Sequence, residues 1–477
     1  MTTEQQLPKG WKIERLGDVI DIQGGSQPPK SEFIYEPIEG YIQLLQIRDF
    51  GENGIPTFVP QNRVTKFCDK DDILIARYGA SLGRIVTGLA GAYNVALAKT
   101  IFDKNLLIKR FVYYLLQTQI FQVPLKMISR SAQNGFAKHE IAHIEIPVPP
   151  IETQQAIVNK IESLFDEIDE GIGRLKTAAQ QIQQYRQSLL KNAFNGELTK
   201  EWRSKHADTL PSENELLAQI QTTREQHHAQ QLADWQTAVS QWEQNGKEGK
   251  KPSKPSTLKK LESIEKLNEI ELTELPNGWF WERLGLMTLG VEYGTSAKSQ
   301  PEGKVPVLRM GNMQNGKIDW TDLVYSDNDE EIKQYSLKKG DVLFNRTNSP
   351  ELVGKTSIIE TDEKAIFAGY LIRINHLTEI TDGRYLTYFL NSMIAKKYGN
   401  FVKTDGVNQS NINGQKLINY PFVFCSLKEQ KEVADILEQK LTACDQLAAE
   451  LAKQLKQAEL LKQAVLKAAF SGSLLDK

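Results

Sequence analysis

Cysteine is scarce in this chain of 477 residues: Cys68, Cys425 and Cys444 stand far apart and form no CxxC pair. That spacing suggests neither a disulfide framework nor a structural zinc site. Long apolar runs are missing too. No stretch approaches the eighteen or so apolar residues needed to cross a bilayer, and the opening MTTEQQLPKGWK has no apolar signal core. The expectation is a cytoplasmic protein with no membrane partner. Net charge of −2 excludes an overall polycation, while 40% hydrophobic and 25% charged residues are those of an ordinary globular chain. The sequence also lacks an Asn-Pro-Pro-aromatic or Asp-Pro-Pro-Tyr motif for methyl transfer to a flipped base, and it has no glycine-rich nucleotide fingerprint. Any cofactor chemistry is therefore expected on a partner.

What the chain does contain is an internal repeat. The run from Ile151 to Phe194 returns near the end without a gap: Gln154 aligns with Gln430 and Phe194 with Phe470, at a constant offset of 276 residues. Each copy is rich in Ala, Leu, Glu, Gln and Lys, which predicts one long helix of about 65 Å. Ile161, Ile168, Leu175, Ile182 and Leu189 recur every seventh residue, matched by Leu437, Cys444, Leu451, Ala458 and Val465. This is a heptad seam, and the companion positions (Leu164, Ala178 and Tyr185; Lys440, Gln454 and Leu461) are less regular. Two such helices predict an antiparallel pair, because each must leave its own domain and reach toward the other.

The globular part is repeated as well. Leu7-Pro-Lys-Gly-Trp-Lys-Ile-Glu-Arg-Leu-Gly17 returns as Leu275-Pro-Asn-Gly-Trp-Phe-Trp-Glu-Arg-Leu-Gly285. Short β-type runs at Tyr41–Ile47 and Asp72–Ala76, glycine turns, and a helical stretch near Lys109–Gln122 predict a mixed α and β unit. From Ile73 to Lys138 nine basic residues face one acid, Asp103, giving a local charge of +8. Such a run suits a phosphate-facing surface, and DNA is the polymer whose regular repeat two divergent reading units on a helical spacer would fit. Between the first helix and the second unit, Ser212 and Glu215 form a capping box that opens a helix reaching Trp242, and Lys247–Ser256 reads as a flexible basic linker.

These motifs, together with Ala76–Arg84, Gly91–Lys99, Val307–Asn312, Phe344–Thr356, Gly406–Asn413 and both long helices, resemble the specificity (S) subunit of Type I restriction-modification systems over essentially the whole chain. The resemblance implies an α+β fold with two mixed, strand-rich target recognition domains separated by two long antiparallel coiled-coil helices in a pseudo-twofold arrangement. The expected boundaries are residues 1–150 and 275–425 for the recognition domains, 151–203 and 426–477 for the spacer helices, and 204–274 for a helical insert with its Lys-rich linker. It implies a noncatalytic DNA-specificity subunit, each domain reading one half of a bipartite double-stranded DNA target while the helices fix the gap. The implied partners are two methyltransferase (M) subunits and, in the full complex, two restriction (R) subunits. No cofactor is expected in this chain; S-adenosylmethionine, ATP and Mg are expected on the partner subunits. The stretch Gly196–Arg203 also resembles a family subgroup.

Arginine can fork onto guanine, and asparagine or glutamine onto adenine. On those residue types the DNA-facing candidates in the first domain are Arg77, Tyr78, Ser81, Arg84, Asn94, Gln133, Asn134 and Lys138. In the second they are Arg309, Asn312, Gln314, Asn345, Arg346, Asn348, Lys355, Asn408, Gln409 and Asn411. Arg77 and Arg346 hold equivalent places, which points to a shared phosphate contact rather than discrimination. Two other readings exist. His139-Glu140-Ile-Ala-His143 matches the HExxH pattern of zinc metallopeptidases, but Ile146-Pro-Val-Pro-Pro150 stops any helix there and the second copy holds Gln415, Lys416 and Asn419 instead. The chain could also be a structural coiled-coil tether. Gly354-Lys355-Thr356 resembles the end of a phosphate-binding loop, but Ser349 stands where its first glycine is required.

Overall fold

The computed structural model describes residues 7–51, 54–131, 135–249 and 270–475, with 251–255, 257–258, 261 and 263–267 between them. The chain forms two compact units, residues 1–178 with 450–477, and residues 179–449. Each unit therefore takes half of each long helix into its own core instead of leaving the helices as separate modules. The central helix spans Ile151–Phe194 and the C-terminal helix Leu427–Phe470, 44 residues each.

The first unit holds a four-stranded antiparallel sheet in the order Ile20–Gly24, Leu97–Phe102, Leu74–Ala76, Ile85–Val86. A second sheet pairs Tyr41–Leu45 in parallel with Gly91–Tyr93, and Lys12–Arg15 closes against Glu145–Val148. The second unit repeats this plan. Its four-stranded sheet runs Thr288–Tyr293, Leu371–His376, Val342–Asn345, Thr356–Ile358. Val305–Leu308 lies parallel to Ile366–Phe367, and Phe280–Arg283 closes against Pro421–Phe424. The expected single helix near Lys109–Gln122 is two, Lys109–Leu115 and Gln119–Ser131.

In the first unit Ile157, Val158 and Ile161 of the central helix share a core with Val465, Leu466, Ala469 and Phe470, and Lys462 Nζ pairs with Asp169 at 2.5 Å. In the second, Leu189, Ala193 and Phe194 share a core with Val433, Leu437 and Cys444, and Arg186 pairs with Asp445. Within each unit the two helix segments thus run antiparallel. The heptad row at Leu437, Cys444, Leu451, Ala458 and Val465 is covered, but its companions are Leu441, Ala448, Leu455 and Lys462, four residues on. Lys440, Gln454 and Leu461 are exposed, so those expected companion positions belong to the surface.

Matching latches hold each strand-rich domain to its helix. Gln154 Oε1 accepts Ile108 N–H at 2.9 Å while its Nε2 donates to the carbonyls of Leu106 and Pro149. Gln430 does the same with Asp382 N–H and the carbonyls of Ile380 and Cys425. Arg110 pairs with Glu162 at 2.7 Å and Arg384 with Glu438 at 2.9 Å. At the helix ends Gly196 (φ +80°) abuts Pro276, and Gly472 (φ +84°) abuts Pro8; a Cβ at either would lie 2.5 or 2.3 Å from the proline ring. Left-handed backbone and close approach together require glycine there. The repeated Leu-Pro and Phe-x-Gly motifs are thus two sides of one contact.

Because Gln430 is fully buried, Gln430→Leu strands three backbone groups and is expected to destabilise the second unit by about 3 kcal/mol. Denaturant unfolding followed by tryptophan fluorescence measures this; an unchanged midpoint would refute the latch.

The insert helix spans Glu213–Gln244 behind the expected Ser212/Glu215 capping box. Leu216 and Ile220 enter the second unit's core. The following basic segment lies along this helix instead of swinging free: Trp242 Nε1 donates to Gly249 O and Trp235 Nε1 to Pro252 O, with Lys251 and Lys254 over the two indole rings. Proline holds the strand extended, and the indoles supply both donor and cation–π face.

Candidate nucleic-acid interface

Folding redistributes the basic run. Lys99 and Lys109 pair with Asp72 at 3.0 and 3.3 Å, Lys109 also with Asp71 at 2.5 Å, and Arg110 with Glu162. Lys138 pairs with Asp21 at 2.6 Å, and that hydrogen bond holds the Asp21 carboxyl below its usual range against a small burial penalty. Acids outside the counted window therefore neutralise four of the nine cations. Arg77 and Arg84, in the loop after the strand Leu74–Ala76, have no acidic partner among the described residues and bond carbonyls instead: Arg77 Nη2 to Phe136 O at 3.2 Å, Arg84 Nη2 to Phe50 O at 2.7 Å. Two cations without an acidic partner among the described residues thus share this loop.

The two units present this loop alike. Arg77 N–H donates to Ala96 O and Arg346 N–H to Tyr370 O. Arg77 stacks on Tyr78, 5.1 Å from its ring centre, and Arg346 on Tyr293 at 4.9 Å, with Arg346 Nη1 donating to Gly369 O at 3.2 Å. Each guanidinium is held by a ring and a carbonyl, leaving its remaining donors oriented at little entropic cost. A later segment covers each loop. In the first unit Gly135 packs on Arg77 O and Tyr78. In the second, Thr347–Asn348 pairs with Ser410–Asn411, which pairs with Thr404–Asp405.

In that second hairpin Asn408 and Gln409 are exposed and Val407 is 100% exposed. Asn411 Nδ2 donates to Thr347 Oγ1 at 2.7 Å, Ser410 bonds Asp405, and Lys416 Nζ bonds Thr404 Oγ1 at 2.6 Å. The base of the hairpin is tied and its tip is free. Polar tips on rigid stems suit base-edge reading, since little ordering remains for the moment of binding.

The other candidates divide. Tyr78 is exposed and Ser81 half-buried in the loop, and Lys138 is exposed with Asp21 as partner. Gln133 and Asn134 lie outside the described residues. Asn94 is buried and its Oδ1 takes Ala96 N–H at 3.1 Å; Asn312 is buried, accepting from Arg309 N–H and donating to the carbonyls of Asp319 and Asp322. Asn345 is fully buried. Asn94 and Asn312 shape turns instead of presenting an amide to solvent, while the buried Asn345 amide has no hydrogen-bond partner among the described residues. Arg309 pairs with Asp322, Gln314 folds onto Gly311 O, and Asn348 Oδ1 takes Ser349 N–H. Lys355 lines a separate cleft.

The metallopeptidase pattern dissolves. Glu140 Oε2 accepts Ala137 N–H at 2.5 Å, capping a helix of only four residues, Lys138–Ile141. Its carboxylate is occupied by the backbone.

Sequence reasoning missed Thr199, Arg203 and Glu429. Glu429, 1% exposed, accepts Thr199 Oγ1–H at 2.7 Å, Arg203 Nε–H at 2.8 Å and Trp279 Nε1–H at 2.8 Å. This gives Gly196–Arg203 its contacts. The signal was present as an acid one residue before the repeated glutamine in the second copy, where the first has Thr153.

Comparison with known proteins bears on this arrangement. The model of the Type I restriction modification DNA specificity domain matches residues 8–176 and 293–457. The EcoKI specificity subunit of Escherichia coli K12 is 24% identical over 98% of this chain and 90% of its own length. The StySPI specificity subunit of Salmonella potsdam is 21% identical over the same shares. Among solved structures, a chain from a study of complex assembly and conformational transition in the type I R-M system aligns with a TM-score of 0.67 at 16% identity, covering 98% of this chain and 99% of that one. The HsdS subunit of Thermoanaerobacter tengcongensis aligns with a TM-score of 0.52 at 17% identity, covering 98% of each. The duplicated strand-rich units and long helices are therefore a shared fold, and the chain belongs to the family of Type I restriction-modification DNA specificity subunits, noncatalytic DNA-recognition components of those systems.

Proposed function

We propose that each unit reads one half of a bipartite double-stranded DNA target, the first through the Arg77–Arg84 loop and its covering segment, the second through Arg346 and the 404–411 hairpin. The observation that carries this reading is the pair of arginines at one framework position, each braced by an aromatic ring and a carbonyl drawn from different residues in the two units, on loops that differ in length and in most of their sequence. Equal framework with unequal loops is what two sites of one chemistry and two specificities require. The shared arginines contact phosphate, which orients the duplex, and the divergent Asn and Gln side chains contact base edges.

In this reading the long helices set the gap between half-sites, and their exposed faces dock two methyltransferase subunits, to which two restriction subunits are added in the full complex. S-adenosylmethionine, ATP and Mg then act on those partners. The purified chain with its methyltransferase partner is expected to shift a duplex carrying one bipartite site, with affinity falling steeply as salt rises. Absence of site preference at every salt concentration would sink the reading. Inserting residues into the central helix near Ala178 is expected to widen the gap without altering either half-site, and methylome sequencing reads both quantities. An unchanged gap would assign the spacing to something other than the helices.

A further inference from the structure

The second unit contains a cleft of about 690 Å³ that the interface above does not use. One wall is the loop Pro350–Thr356 carrying the Gly354-Lys355-Thr356 sequence; the others are the helix Met393–Val402 and the end of the central helix. Four cations line it: Arg186, Lys355, Lys396 and Lys403. Against them stands one lining carboxylate, Glu351, and Lys403 already leans on Pro350 O at 3.4 Å and Asp405 at 3.7 Å. Lys355 and Lys396 have no acidic partner among the described residues. Arg186 pairs with Asp445, yet its Nε is buried without a hydrogen-bond partner.

The internal duplication shows that this cleft is a particular feature of the second copy. Gly83 N–H donates to Ala76 O and Ala76 N–H to Arg84 O; Gly354 N–H donates to Asn345 O and Asn345 N–H to Lys355 O. Gly83 and Gly354 are therefore structural counterparts, as are Arg84 and Lys355. The helices Gln119–Ser131 and Met393–Val402 correspond in turn, which places Gln122 opposite Lys396 and Leu125 opposite Gly399. In the first unit Gln122 Nε2 donates to Gly83 O at 2.8 Å, and Leu125 comes within 2.8 Å of where a Gly83 Cβ would be. Loop and helix are shut against each other. In the second, the loop between the counterparts is two residues longer, glycine replaces the leucine, and lysine replaces the glutamine that closed the gap.

We infer that this cleft binds a run of two or three phosphates, with Lys355 and Lys396 as its free cations and Arg186 at its base. Gly354, at φ +90°, turns the loop so that Lys355 enters the cleft. The strand Thr356–Ile358 follows where a nucleotide-binding loop would start a helix. Recognition thus depends on lysine and arginine donors rather than a helix N-terminus. Two sources carry this chemistry, a free polyphosphate compound or the DNA backbone beyond the second half-site; only the latter rests on the DNA reading above.

Titration calorimetry of the full chain with inorganic triphosphate tests the first source. Tighter binding than about 1 mM is expected, weakened at least tenfold in Lys355→Ala/Lys396→Gln, which restores the first copy's glutamine. The second source is tested by the salt dependence of DNA binding in the M-bound complex. There the same double variant is expected to flatten the slope of log K against log salt by about two, with site preference unchanged. Triphosphate binding lost in the variant supports a free ligand, and a flattened slope without triphosphate binding supports the backbone. If the variant changes neither, the inference is overturned. Failure to find any DNA site preference would defeat the proposed function while leaving the triphosphate measurement intact.

Discussion

Glu429→Ala is expected to destabilise the second unit by about 4 kcal/mol. The carboxylate is 1% exposed and receives three donors, from Thr199, Arg203 and Trp279. Removing it leaves the Arg203 guanidinium, stacked 5.1 Å from the Trp279 ring centre and bonded to Gly196 O at 2.6 Å, partly buried and without its counter-ion. An uncompensated buried charge costs more than the pair contributes, so Glu429→Ala/Arg203→Met is expected to recover much of the loss. The first copy has Thr153 at the corresponding helix position and Trp11 at the corresponding strand entry. Its stability should be untouched, so in chemical denaturation only the second unit's transition moves. A uniform shift of both, or a double variant as unstable as the sum of the singles, would contradict the network.

The second large effect concerns DNA. Arg77→Ala and Arg346→Ala are each expected to weaken binding by one to two orders of magnitude, corresponding to about 1–3 kcal/mol. Each should also reduce the salt slope by about one. Because both arginines occupy the same place in the repeated framework, their loss should weaken cognate and altered half-sites alike. Asn408→Ala and Gln409→Ala are expected to act differently, relaxing discrimination in one half-site while leaving the salt slope unchanged. Binding measured against a library with each half-site randomised separates these outcomes. If Arg346→Ala relaxed the sequence preference of one half-site, the guanidinium would be reading a base, and the phosphate assignment would fall.

Particular residues show why some of this is legible in the sequence. The ungapped repeat from Gln154 to Phe194 predicted two equal helices because helix formation depends on local periodicity and propensity. Both helices begin and end at matching residues. The Ser212/Glu215 capping box was readable for the same reason, since both its hydrogen bonds close within one turn. Lys440 and Gln454 were misplaced because a seam read at three-residue steps differs by one position from one read at four, and only packing selects between them.

The primary structure on its own specified the duplication, the long helices, the two strand-rich units and the residue types of the Arg77 and Arg346 loops, all carried by spacing along the chain. Tertiary structure alone decided which charges remain available. Asp21, Asp72 and Glu162 reach across the fold to neutralise Lys138, Lys99 and Arg110. It buried Asn94, Asn312 and Asn345 while leaving Asn408 and Gln409 on an exposed tip. It also opened a cleft where Gly399 replaces Leu125. The physical reason is that an ion pair, a buried amide or a cavity depends on distance through space, and residues dozens of positions apart meet only after the chain has folded.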